Sequence, residues 1–458
     1  WLWENLTLPF SARLRNGQAG EEVFHKMYTR FQHDRIYQLL GLFWLISALS
    51  LMVSREISLS VYGLVKITEF LLLFAYVREN IDLSHEISRI FCLILATLSF
   101  QSILGITQYL SQNSLGLTML GEEFLRPGIK GIAEFVSHGV VNPLLYDFLP
   151  YLRPISAITI NIRAYGTLPH SNVLAGLLFF GLLVNIYLLY TKVPPALPVG
   201  RRERLGGISR EMLNDLMLSL SLIIITTGLV VTFSRLAWAL SFLGLSSWLI
   251  LILAGIRRPQ IYLMKTGRLD HTRADYHPGR IVFISFILLI SLGLNVLVFG
   301  PQIQDRLLGV IPVGVKVEDY NPSESMVNRE FFNRVAWLVI AQNPILGVGL
   351  RNFVVEMDNY GGGVRLLPFL HQPVHNIYLL IAAESGIVTL ALFPIFIFYI
   401  VRPSSRSLIG PGPRENQTPL LGRPVGGGDP MLNYTLLIIF LGFLFFCLSR
   451  LDLQLQSL

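Results

Sequence analysis

Charge is what this sequence has least of. Only 14% of its 458 residues are Asp, Glu, Lys or Arg, 52% are hydrophobic, and the mean hydropathy is +0.56. A soluble domain carries about 25% charged residues. The shortage excludes an ordinary water-soluble globule, and apolar runs close to a bilayer's thickness point to a polytopic membrane protein. Cysteine is scarce too. Cys92 and Cys447 each sit inside an apolar run and read as small core residues, not as a disulfide framework or a metal site. A phosphate-binding glycine loop is lacking, since Gly361-Gly362-Gly363 has none of the flanking pattern. So are a soluble domain, a low-complexity tract and the internal repeat of many transporters. The net charge of +7 and pI near 9.4 read as basic loops on a membrane protein and not as a nucleic-acid surface.

What is present is a series of hydrophobic helices. Helices satisfy their own backbone in lipid, and the short alternating strands of a barrel are missing. The expected fold is therefore an all-α polytopic membrane protein. Spans are expected at 37–53, 57–77, 87–110, 170–190, 213–231, 236–256, 280–300, 375–401 and 431–449. The chain starts at Trp1 without a methionine, so part of the N-terminus, with one or more spans, is expected to be missing. Residues 1–36 are polar and aromatic, unlike a signal peptide.

Loop charge sets the orientation. With 1–36 as a cytoplasmic segment, the inner loops hold about 20 Lys and Arg in about 119 residues, and the outer ones about 13 in about 149. The chain then divides into the cytoplasmic segment 1–36, a transmembrane bundle over 37–300 with an external segment at 111–169, a large periplasmic loop at 301–374, and C-terminal transmembrane helices over 375–458. Both long external segments contain periodic apolar residues, so short helices at the membrane surface are expected in them, one of them at 325–341.

The outer face collects the polar chemistry. Arg163 precedes the span that opens Pro169-His170-Ser171-Asn172, Arg235 lies in a very short turn between two spans, and Arg334 lies in Arg334-Val335-Ala336-Trp337. A guanidinium forks onto phosphate oxygens with two parallel hydrogen bonds, so converging arginines would suit a lipid-linked diphosphate. Taken singly, each would also be explained by snorkelling to headgroups. The turn at Arg235 is so short that its side chain is expected to point into the bundle. His375 opens a long span as Pro373-Val374-His375-Asn376-Ile377-Tyr378, where an imidazole suits general acid–base work and equally a helix-start hydrogen bond. His371 and His170 are weaker candidates. His371 lies four residues before His375, like a zinc pair, but no third ligand has convincing spacing. Glu384, further into the same span, would pair with an arginine or fix helix packing.

In these stretches the sequence resembles the O-antigen ligase-like family. The resemblance is carried by Thr232-Phe233-Ser234-Arg235 and by Arg334-Val335-Ala336-Trp337. It continues in Asn343-Pro344-Ile345-Leu346-Gly347-Val348-Gly349-Leu350-Arg351-Asn352-Phe353 and in His375-Asn376-Ile377-Tyr378 with Glu384-Ser385-Gly386. Gly166-Thr167-Leu168-Pro169-His170-Ser171-Asn172-Val173-Leu174-Ala175 matches a further stretch of that family. Leu236 stands where the family usually has glycine after Ser-Arg.

That family contains O-antigen ligases, repeat-unit polymerases and protein O-oligosaccharyltransferases. The resemblance implies a GT-C-like bundle of about nine to twelve transmembrane helices in a bacterial inner membrane, with the site on the periplasmic face. It implies an inverting, metal-independent transfer without a cofactor, from an undecaprenyl-diphosphate-linked glycan to lipid A core, a growing polysaccharide or a protein. His375 would be catalytic and Arg235 and Arg334 would bind the diphosphate, with Arg163 added from position and Asn376, Glu384 and His371 as supporting candidates. Two rivals remain at this stage. A peptidoglycan-polymerase type of enzyme would need a catalytic aspartate, for which Asp305, Asp319 and Asp358 are available. A lipid-linked oligosaccharide flippase or transporter would need charges deep in a span, of which Lys66 and Glu69 are the examples, three residues apart and able to form one ion pair.

Overall fold

The computed structural model describes residues 34–80, 83–129, 132–148, 150–152, 159–191, 210–256, 278–308, 324–360, 373–374 and 376–401. The expected span at 431–449 and nearly all of the segment 1–36 lie outside the described residues. The helices are α1 (Arg35–Leu49), α2 (Ile57–Asn80), α3 (Leu83–Ser111), α4 (Ser171–Thr191), α5 (Arg210–Val231), α6 (Arg235–Ile256), α7 (Pro278–Leu308), α8 (Glu324–Gln342), α9 (Phe353–Tyr360) and α10 (Ile377–Val401). Among the described residues seven helices are long and apolar enough to cross a membrane, and the apolar stretch Arg235–Ile250 of α6 is a shorter eighth. The fold is a polytopic helical membrane protein.

The chain forms two compact units. The central unit holds α3 to α7, and the terminal unit is assembled from α1 and α2 with α8 to α10. In the central unit α4 packs against α3, α5, α6 and α7. It is apolar all round, and a helix with that pattern belongs inside a bundle; almost every residue from Ser171 to Tyr190 is buried. Hydroxyls and amides tie the helices of this unit to one another. Asn185 donates to the Ser221 hydroxyl (3.1 Å), Ser221 bonds Ser99 (2.8 Å), and Thr226 bonds Ser291. At the end of the bundle that holds the start of α7, Arg280 forks onto Asp215 at 2.9 and 3.1 Å and also donates to Leu189 O, joining α4, α5 and α7.

Among the described residues, the external segment after α3 does not form the expected surface helices. It contains single 3-10 turns and an antiparallel ribbon, β1 (Glu134–Ser137) with β2 (Thr159–Ile162), in register Glu134↔Ile162. Pro127, Pro143 and Pro150 interrupt any helix at those positions, and the β-branched alternation Thr159-Ile160-Asn161-Ile162 favours a strand. The ribbon is anchored on α7, which runs eight residues past its expected end, through Pro301. Pro301 has no N–H for Leu297 O. Asn142 supplies the missing donor: its Nδ2 reaches Leu297 O and its backbone N reaches Val298 O, at 2.9 and 2.7 Å.

In the terminal unit α10 packs on α1 and α8, over a core of Phe332, Val335, Val339, Phe353, Met357 and Ala383. The helix expected at 325–341 is α8. Lys66 and Glu69 do pair on α2, at 2.9 Å, and both are exposed. The decisive local feature is a break inside α10. Gly386 has φ 86° and ψ 166°, so the helix stops and restarts there. The freed carbonyls of Ala383 and Glu384 accept Val348 N and Gly349 N, and Ile387 N donates to Pro344 O, all at 2.9 Å. The Asn343–Leu350 turn is thereby laced into the break as a short backbone ladder. Only glycine fits, since a Cβ on Gly386 would sit 1.8 Å from Ile345 O and one on Gly347 would sit 2.4 Å from Ala383 O.

Gly386→Ala should therefore combine about 1–3 kcal/mol of backbone strain with a clash against a carbonyl. A large drop in the thermal unfolding temperature of the purified membrane protein is the expected outcome; an unchanged melting curve would contradict the ladder.

Candidate functional site

Arg235 is the first residue of α6. Only Thr232, Phe233 and Ser234 separate it from α5, and all three are buried. Phe233 has φ 47°, an uncommon left-handed conformation for a bulky residue. Its ring is held by Phe135 (centroids 4.1 Å apart), Tyr109 (5.2 Å) and Trp238 (5.9 Å). That ring, and not Arg235, takes the inward place. Arg235 is exposed and makes no side-chain hydrogen bond or ion pair among the described residues. The expectation that its guanidinium turns into the bundle is thus corrected. It stands at the start of a helix, where the free N–H groups and the positive end of the helix dipole also favour an anion.

Arg163 is placed differently. It is 3% exposed, its Nε donates to Thr232 O (2.5 Å), and its Nη2 donates to Asn172 Oδ1 (2.8 Å). Both acceptors belong to the protein, and the first is in the turn that carries Arg235. His170 is drawn into the same network, for its Nδ1 accepts Asn172 N at 3.0 Å, as a cap on α4. Close by in the external segment, Glu122 is nearly buried and accepts Leu115 N, Leu117 N and Gln108 Nε2. Burial works to raise its pKa, but the hydrogen bonds outweigh it and hold the carboxyl below the usual range. The stability this contributes is present above the ordinary carboxylate range and is lost as pH falls through the lowered value.

The remaining candidates belong to the terminal unit. Arg334 lies on α8, exposed, and pairs with Glu330 one turn earlier; both side chains are mostly in solvent, so the pair is weak and easily exchanged. Asn376 is a helix cap: its Oδ1 accepts Tyr378 N at 3.0 Å and Leu379 N at 3.3 Å, fixing the start of α10. Glu384 faces the backbone N–H groups of Arg351 and Phe353 and the Arg351 charge. The Arg351 guanidinium stacks over Tyr62 at 4.7 Å. His375 and His371 lie outside the described residues. No cluster of three or more His, Cys, Asp or Glu suited to a metal occurs among the described residues.

Several residues that build the site were not singled out from sequence. Asn352, fully buried, accepts Glu56 N (2.8 Å) and donates to Ser60 Oγ (2.8 Å) and Leu350 O (2.9 Å), fastening the loop after α8 to the start of α2. Its position in the Asn352-Phe353 pair of the family-like stretch was the available signal. Asp305, named as a candidate acid, instead accepts both the backbone N and Nδ1 of His138, each at 2.9 Å.

These features define a membrane protein that presents arginines at exposed positions, Arg235 at a helix start and Arg334 within a helix. The comparisons narrow the class. Residues 220–393 match the family model described as O-antigen ligase, and the chemistry of that family is membrane glycan transfer of the ligase and polymerase type. The matched range holds Arg235, Arg334, His371, His375, Asn376 and Glu384 and leaves out Arg163. No curated protein and no solved structure matches the chain.

Arg163→Met would strand two buried acceptors, costing about 3 kcal/mol. The expected outcome is a lower unfolding temperature together with reduced activity. A variant that loses activity at unchanged stability would mark Arg163 as a ligand-binding group instead.

Proposed function

We propose that the chain moves glycan from an undecaprenyl-diphosphate-linked donor to an acceptor hydroxyl at the periplasmic face of the bacterial inner membrane, as an O-antigen ligase or a repeat-unit polymerase. The observation that carries this reading is the O-antigen ligase match over 220–393, the stretch in which Arg235, Arg334 and His375 follow one another in the family's order. The exposed position of Arg235 at a helix start and the loosely paired state of Arg334 support it.

Arg235 and Arg334 engage the diphosphate, each with a planar fork. The acceptor oxygen attacks the anomeric carbon from the side opposite the diphosphate. The new C–O bond forms as the old one breaks, and the diphosphate leaves with the bonding pair. His375 takes the acceptor's proton. The configuration at the anomeric carbon inverts. Negative charge grows on the leaving diphosphate, so the arginine contacts are strongest in the transition state and accelerate the step. Asn376 and Glu384 act in support, Asn376 by capping the helix that follows His375, and Glu384 through the ladder beside it. Arg163 is assigned to the turn and not to the diphosphate.

The test is transfer by the purified full chain from a lipid-linked donor, with lipid A core, polysaccharide and protein acceptors offered one at a time. His375→Ala should abolish transfer while expression stays intact; normal product from this variant would sink the assignment. Arg235→Lys keeps the charge but loses the fork and should slow transfer roughly tenfold. Full activity would mean that Arg235 only anchors to headgroups.

A further inference from the structure

We propose that Arg306, at the end of α7, is a positioning residue for Arg235. This rests on the reading that Arg235 engages the diphosphate. The turn between α5 and α6 interrupts two helices, and the carbonyls around it each have a donor. Gly228 O accepts Thr232 N, Leu229 O accepts Thr232 Oγ1 and the Trp238 indole, Val230 O accepts Phe233 N, and Ser234 O accepts Trp238 N. Those donors are local. The other three come from remote sequence: Val231 O accepts Ala164 N (3.1 Å), Thr232 O accepts Arg163 Nε (2.5 Å), and Phe233 O accepts Arg306 Nε (3.1 Å).

Of these three bonds, the one from Arg306 lies nearest Arg235, two residues away. It fixes the Phe233–Ser234 peptide, the last plane before α6 begins, in a turn where Phe233 already holds a left-handed φ of 47°. Arg306 is itself locked. Its guanidinium lies over the Phe135 ring at 5.9 Å. On the same face of α7, one turn back, Gln302 is fully buried and donates to His138 O (2.9 Å) and Val141 O (2.9 Å), while Asp305 holds His138. Residues at spacings of three and four share one helix face. That face therefore ties the external segment at 138–141 to the Phe233 carbonyl, two residues before Arg235. The direction of Arg235 is set by α7.

Binding of undecaprenyl diphosphate to the full chain in lipid nanodiscs tests this, with Arg306→Leu, Arg306→Gln and Arg306→Lys each made in the native and the Arg235→Leu backgrounds. Arg306→Leu should raise Kd about tenfold in the native background and add nothing once Arg235 is gone, because it acts through Arg235. Arg306→Gln, which keeps an N–H donor without the charge, should restore most of the affinity. An equal loss in both backgrounds overturns the proposal, as does full rescue by Arg306→Lys with none by Arg306→Gln, which would make Arg306 a charge acting directly. If Arg235→Leu alone leaves binding unchanged, the diphosphate role of Arg235 is what fails. The turn is then read from the fluorescence of Trp238, taken as the difference from Trp238→Phe: Arg306→Leu should shift its emission and Arg306→Gln should not. An unshifted emission in Arg306→Leu overturns the positioning role.

Discussion

A carbonyl oxygen released by a helix break must find a donor before it can sit in hydrocarbon. Three interruptions among the described residues meet that demand in different ways. At the α5–α6 turn the donors are two arginines and a backbone N–H from remote segments. At Pro301 the donor is the Asn142 side chain, with the Asn142 backbone reaching the next carbonyl. At Gly386 the donors are the N–H groups of the Val348-Gly349 turn. Within each unit, the local architecture at these interruptions is in large part the solution to an orphaned-carbonyl problem.

The family-like stretches separate on this basis into chemical and structural parts. Asn343-Pro344, Gly347 and Gly349 on one side, and Ser385-Gly386 on the other, are halves of one backbone ladder. Their residue types are demanded by close approach of main chain to main chain. Arg235 and Arg334, in contrast, are exposed and held loosely or not at all. Thr232-Phe233-Ser234 belongs to the first class and Arg235 to the second, though they are adjacent in sequence.

Eight of the nine expected spans fall on helices α1 to α7 and α10, and the ninth lies outside the described residues, because hydropathy over twenty residues is a local property. What local pattern could not reveal was pairing across long distances. The extension of α7 past Pro301 depends on Asn142, more than 150 residues away. The burial of Arg163 depends on Thr232 O, and with Phe233 filling the interior the neighbouring Arg235 turns outward, so two arginines of similar local context meet opposite fates. The ribbon in the external segment was legible as β-branched alternation at Thr159 to Ile162, but the apolar periodicity read as helix.

The separation of these partners along the chain also imposes an order on synthesis. Chains emerge from the ribosome N-terminus first, and elements can pack only on what already exists. When the α5–α6 hairpin inserts, Arg163 and Ala164 have already been made, so Val231 O and Thr232 O can be satisfied at once, whereas Phe233 O waits for Arg306, 73 residues later. The terminal unit waits longer. Glu56 and Ser60 receive Asn352 and Leu350 only after 296 and 290 further residues. Until then α1 and α2 must rest in the membrane with their eventual neighbours unmade, and the terminal unit is completed only after the helices of the central unit have been translated.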